Sequence, residues 1–136
     1  MTGRYSVGYL LDTHILLWSL REPERLGPKV RKILGNPRSE LWLSPISLWE
    51  CLILAHRGRI KLLPDAQTWG KNLITTSPLR EARLTFDVAL RSREVILGHE
   101  DPADRFLAAT AAVYDLTLVT ADAKLLEGDG FRVLAN

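Results

Sequence analysis

DPADRFLAATAAVYDLTLVTAD, the stretch from Asp101 to Asp122, decides the fold class. Asp101-Pro102 pairs a capping carboxylate with a proline suited to the first helical position, so an alanine-rich helix is expected over Ala103–Tyr114. Leu116–Thr120 (LTLVT) is the clearest strand of the chain, a continuous apolar and β-branched run without alternating polarity. Beyond Asp122 a short helix is expected to about Glu127, then a last strand over Phe131–Leu134. A helix feeding an apolar strand, closed by another helix and strand, suits a parallel sheet covered on both faces.

The same alternation runs back toward the start. Tyr9-Leu10-Leu11 is a short apolar run ending at Asp12, and a helical segment follows from about His14 to Leu20. Glu22-Pro23-Glu24 breaks it, Pro28 opens a second helix to about Leu34, and Gly35-Asn36-Pro37 closes that one. Leu41-Trp42-Leu43 reads as a buried strand, with Ser44-Pro45 opening a helix that runs to about Arg57 and ends at Gly58. Asp65 starts a helix to about Ile74. Arg83-Leu84-Thr85 is a weaker strand candidate, and Asp87 to about Val95 a further helix. No internal repeat or long linker interrupts the pattern, so residues 1–136 read as a single domain of an α/β fold, a parallel β-sheet flanked by helices.

Composition excludes several function classes. Hydrophobic residues make up 46% of the chain and charged residues 25%, ordinary globular values that argue against disorder. Eighteen Lys and Arg against sixteen Asp and Glu leave a net charge of only +2, so bulk charge does not mark a nucleic-acid binder. Arg57, Arg59 and Lys61 form one local basic group, and Arg91 and Arg93 another. Cys51 is the only cysteine, which rules out an intrachain disulfide and a cysteine-rich zinc site. His14, His56 and His99 are scattered without ligand spacing. Val7–Leu20 is too short and too polar to span a membrane, and a soluble cytoplasmic protein is expected.

Five acids punctuate the pattern: Asp12, Glu50, Asp101, Asp104 and Asp122. In an open parallel sheet, the carboxyl ends of the strands and the starts of the following helices share one edge, and ligands bind there at a switch in strand order. Asp12 ends the first strand, and Asp122 stands two residues beyond LTLVT. Asp104 falls in the first turn of its helix and Glu50 in the second turn of its own. Four segments are therefore expected to deliver acids to one place.

Each acid also has a local explanation. Asp12, Asp101 and Asp122 could cap the helices that follow them, and Asp101 with Asp104 makes a capping pair. Glu50 resists that explanation. It lies beside Ile46, Trp49 and Ile53, where an uncompensated carboxylate needs a metal or an ion pair, Arg105 being the candidate partner. Capping accounts for an acid at each position but not for their convergence.

Oxygen-only ligands select Mg²⁺ or Mn²⁺ over zinc or copper, and magnesium reaches for phosphate oxygens. An all-carboxylate site thus implies phosphoryl chemistry with one ion or two. Thr13, Ser44 and Thr120 stand beside the expected site, where they could position water or phosphate or else cap helices. His14 reads as packing or as a donor supporting the acids. Trp18, Trp42, Trp49 and Trp69 read as core or interface, and Cys51 as a small packing residue.

LLDTHILLW (Leu10–Trp18), SPISLWE (Ser44–Glu50), HRGRIKLLP (His56–Pro64), HEDPADRFLAATA (His99–Ala111) and LVTADAKL (Leu118–Leu125) together resemble the PIN-domain family. Within that family the resemblance is to the VapC-type toxins of bacterial toxin–antitoxin pairs. It implies a PIN-like α/β/α sandwich with Mg²⁺- or Mn²⁺-dependent ribonuclease activity on RNA. It also implies a homodimer neutralised by a cognate VapB-type antitoxin. By position, Asp12 corresponds to the family's first acid, Glu50 to its second, Asp104 to its third and Asp122 to its fourth. Asp101 is then an outer ligand or simply a cap, and Arg105 pairs with an acid or contacts phosphate.

Two rival functions remain at this level. A phospho-accepting receiver domain shares the parallel architecture, but Leu11 and Thr13 flank a lone Asp12, and no central strand ends in an accepting aspartate. A PIN domain that binds RNA or a partner without cutting would keep the same acids.

Overall fold

The computed structural model describes residues 7–136. Strand β1 (Val7–Leu11) leads into α1 (Thr13–Arg21), a 3₁₀ turn at Pro23–Arg25 and α2 (Pro28–Gly35). Strand β2 (Ser39–Leu43) is followed by α3 (Pro45–His56) and α4 (Ala66–Thr76), and β3 (Arg80–Glu81) by α5 (Phe86–Arg91) and α6 (Pro102–Tyr114). The chain closes with β4 (Thr117–Thr120), α7 (Ala123–Leu126) and β5 (Arg132–Ala135).

All pairings are parallel, in the order β3-β2-β1-β4-β5. Sequence order reverses at β1, which pairs with β2 on one side and β4 on the other. That reversal is the switch point where the loops leaving the two strands diverge and open a crevice. Successive strand residues supply opposite faces. Leu11 and Val119 pack with Ile15, Leu16, Val30 and Cys51, whereas Leu10 and Leu118 pack with Leu107, Ala111 and Leu125. Both faces are therefore covered, as the continuous apolar strands require.

Local chemistry sets the helix boundaries. Ser44 caps α3 by accepting from the Ile46 amide, with Pro45 at the first position, and Asp65 and Thr85 cap α4 and α5. Gly58 follows the end of α3 at φ +71°, a left-handed conformation that favours glycine.

Three expectations need correction. Leu41–Leu43 belongs to a longer strand, β2, that is half-buried throughout, because only the two-residue β3 shields it on that side. Arg83–Thr85 is not a strand; the ladder lies earlier, at Arg80–Glu81, and continues through the Ala82 amide to the Leu43 carbonyl. Fully buried Ala82 anchors that register, whereas Arg83 and Leu84 are exposed. The helix expected to reach Val95 ends at Arg91, followed by turns through Val95. Among the described residues no helix is long and apolar enough to cross a membrane.

Candidate active site

Asp12, Glu50, Asp101, Asp104 and Asp122 all line one cleft of about 550 Å³, together with Thr13, His14, Trp18, Arg25 and Ala121. It opens at the carboxyl ends of β1 and β4, the switch point of the sheet. The loop after β1 brings Asp12, α3 brings Glu50, the start of α6 brings Asp101 and Asp104, and the loop after β4 brings Asp122. The expected convergence of segments is thus realised.

Capping and convergence turn out not to compete. Asp12 Oδ1 accepts from the Thr13 amide at 2.7 Å, Asp101 Oδ1 from the Asp104 amide at 3.1 Å and Asp122 Oδ1 from the Lys124 amide at 2.9 Å. Each carboxylate caps its helix and still faces the cleft. A carboxylate offers about four lone-pair sites, so one bond to a cap leaves most of them free.

Hydroxyls fix Asp12 and Glu50. Thr120 Oγ1, fully buried, donates to Asp12 Oδ2 at 2.6 Å and accepts from the Asp122 amide at 3.0 Å, so one side chain ties the two loops together. Thr13 Oγ1 donates to Glu50 Oε1 at 2.5 Å, joining α1 to α3. Glu50 was expected beside an apolar stripe, with an ion pair to Arg105 as the alternative to a metal; neither the stripe nor that ion pair is present. The fully buried residues of α3 are Ser47 and Cys51, Trp49 is 53% exposed, and Glu50 is half-buried against Thr13.

The acids raise one another's proton affinity. Burial pushes Asp104 up to about 7, and Asp101, Asp122, Asp12 and Glu50 add to the rise by repulsion. Asp12 is raised by burial and by Asp122, against the lowering effect of its hydrogen bonds to Thr120 and Thr13. Glu50 is raised by burial and by Asp12 and Asp101, with Thr13 opposing. Burial and the neighbouring Glu50 push the Cys51 thiol to about 12, which makes it an inert packing group.

Two expected site residues lie elsewhere. Ser44 is fully buried beneath a different, apolar groove between α3 and α4, where its hydroxyl serves only as the α3 cap. Arg105 turns away from the acids. Its Nη1 donates to the carbonyls of Ser92 and Val95 at 2.8 and 3.1 Å, and its Nη2 pairs with Glu100 at 3.1 Å. One helical step past Asp104 rotates the side chain by about 100°, toward the segment after α5 instead of the cleft.

His99 was passed over. Its Nε2 lies 3.3 Å from Asp104 Oδ2, and its Nδ1 accepts from the Asp101 amide at 3.0 Å. Only its position, five residues before Asp104, hinted at this, since a ligand-spacing search ignores a histidine that supports a carboxylate. The cleft rim also holds Arg25 stacked over Trp18, 4.5 Å from the ring centroid.

The donor set is oxygen-rich and anionic, which fits a hard divalent cation, and its mutual repulsion is what such a cation would relieve. Among the described residues no three His, Cys, Asp or Glu side chains are grouped closely enough to hold a metal ion, and the acids instead stand apart along the cleft.

A model of the PIN domain matches residues 9–130. The chain is 32% identical over 117 residues to Ribonuclease VapC22 of Mycobacterium tuberculosis, covering 85% of this chain and 88% of that protein. Among solved structures, DNA-bound VapBC from Salmonella typhimurium matches with a TM-score of 0.68 at 19% identity, over 95% of this chain and 98% of that one. FitAcB from Neisseria gonorrhoeae matches at 0.67 and 20% identity, over 93% and 96%. Structural likeness at such identity speaks for the fold alone, and it agrees with the five-stranded parallel sheet seen here. With the family's model spanning nearly the whole of the described sequence, the chain belongs to the PIN-domain family.

Proposed function

We propose that this protein is a divalent-metal-dependent endoribonuclease, the VapC-type toxin of a toxin–antitoxin pair. The observation that carries the reading is the delivery of Asp12, Glu50, Asp104 and Asp122 by separate segments to one cleft at the switch point. The name of the relative Ribonuclease VapC22 supports the activity, and the toxin–antitoxin complexes among the structural neighbours support the partner, a VapB-type antitoxin.

In this reading Asp12, Glu50, Asp104 and Asp122 hold Mg²⁺ or Mn²⁺, with Asp101 at the exposed rim as cap and outer ligand. The bound cation supplies Lewis acidity toward water and toward a phosphate oxygen. The chain's own residues prepare that chemistry. Thr120 and Thr13 hold Asp12 and Glu50 in place through one bond each, leaving lone pairs turned toward the cleft. Asp104, pushed up to about 7 by burial and then by the neighbouring acids, would release a proton on holding a cation. Arg25 and His14, the cationic and titratable bases of the cleft lining, face the polyanionic RNA that five bare acids would repel. A cytoplasmic homodimer completes the reading.

The test is cleavage of labelled RNA by purified protein in Mn²⁺. Cutting is expected to stop with EDTA and to fall at least 100-fold in Asp12→Asn and Asp104→Asn, about the loss of one electrostatic contact to a transition state. Metal-independent cutting, or full activity in both variants, contradicts the mechanism. RNA retained without cutting would make the domain a binding module.

A further inference from the structure

We infer that His99 is a positioning residue, which presents the Asp104 carboxylate to the cleft through the close approach of its Nε2 to Oδ2. The inference rests on the metal-site reading above and names a residue of that same site.

Geometry fixes the imidazole's tautomer. Nδ1 accepts the Asp101 backbone N–H at 3.0 Å, so Nδ1 carries the lone pair and the ring proton of the neutral form resides on Nε2. Nε2 is buried and has no aligned hydrogen-bond acceptor in this structure, and Asp104 Oδ2 lies 3.3 Å from it. Both side chains are largely covered, at 19% and 17% exposure, so water competes weakly for the proton. The Asp101 carboxylate meanwhile accepts the Asp104 amide. His99, Asp101 and Asp104 thus form a closed ring of contacts at the start of α6, which ties one carboxylate oxygen and leaves the other free.

Arg105 explains why His99 stays there. The segment between α5 and α6 carries no regular structure beyond turns and one bridge, Ile96 to Asp129. Arg105 binds its carbonyls at Ser92 and Val95 and its Glu100 side chain, while Arg93 holds Glu100 from the other side at 2.9 Å. At 11% exposure the guanidinium is nearly buried, so it acts as a staple between α6 and the loop bearing His99. Adjacent residues of one helix turn therefore share the work: Asp104 faces the cleft and Arg105 anchors the residue that orients it.

The test is Mn²⁺ binding to the full chain, read from the loss of the free-ion paramagnetic resonance signal. His99→Ala is expected to weaken binding about 10-fold, the lower end for loss of a residue supporting a metal ligand. His99→Gln keeps both an acceptor and a donor and is expected to recover most of the affinity. Wild-type affinity in His99→Ala overturns the positioning role alone, and so does an equal loss in both variants. A wild-type protein that binds no Mn²⁺ overturns the metal-site reading and this inference with it. A measurement without substitution guards against misfolded variants: long-range ¹⁵N–¹H spectra should place the His99 proton on Nε2 when the ring is neutral. A proton on Nδ1 contradicts the geometry.

Discussion

Thr120 shows how one side chain can shape a whole site. Its hydroxyl is fully buried, donates to Asp12 and accepts from Asp122, so both loops at the switch point depend on it. Thr120→Val keeps the volume and removes both bonds, leaving a buried carboxylate oxygen and an amide unsatisfied. Chemical denaturation should show a loss of about 1–3 kcal/mol. Asp104 offers a pH signature. Its carboxyl is raised from 3.8 to about 7 in the fold, so between those values the folded chain holds more protons than the unfolded chain. The slope of unfolding free energy against pH is therefore negative there, and the metal-free protein loses stability as pH rises from about 4 to 7. Asp12 and Glu50, also raised, act in the same direction. Asp104→Asn should flatten the profile and raise metal-free stability at pH 8 by on the order of 1–2 kcal/mol, discounted for the water that reaches the group. Thermal melts across pH 5–8, without metal, check both expectations.

At the scale of elements, α6 carries the clearest division of labour. Leu107 and Ala111 pack against Leu10 and Leu118 of the sheet, Asp104 meets the cleft, and Arg105 holds the loop after α5. Arg105→Ala removes a nearly buried cation and strands two carbonyls, a loss of about 2–3 kcal/mol. Hydrogen exchange should locate the damage: amides over residues 92–100 are expected to exchange faster, with those of β1 and β4 little changed. Uniform acceleration throughout the chain would show that Arg105 does not act locally. The elements themselves were largely legible in the sequence, because caps and prolines mark helix starts and continuous apolar runs mark buried parallel strands. Where the reading slipped, local pattern was overruled by packing. Leu84 has a strand-like neighbourhood but stands exposed beyond the ladder, which is set by Ala82 and Leu43. Among the acids, position along the chain sufficed, since strand ends and helix starts must share an edge. Direction around a helix did not: Arg105 and Glu50 needed the actual rotation of α6 and α3, and His99 needed a loop path that no periodicity encodes.

For the whole molecule, topology is the deciding fact. The order β3-β2-β1-β4-β5 places two acid-bearing loops on either side of one crevice, and α3 and α6 add their acids from opposite faces of the sheet. On the proposed reading stability and function pull against each other, since the carboxylates repel one another and a cation would relieve that repulsion. Taking up Mn²⁺ near pH 6.5 should release protons, measurable as a dependence of the binding enthalpy on buffer ionisation, and should raise the melting temperature. The most direct test is anomalous diffraction from crystals grown with Mn²⁺. A peak is expected in the cleft, in contact with Asp12 and at least one of Glu50, Asp104 and Asp122. A cleft without a peak at saturating Mn²⁺, or manganese bound only elsewhere on the chain, would contradict the assignment of these acids as a metal site.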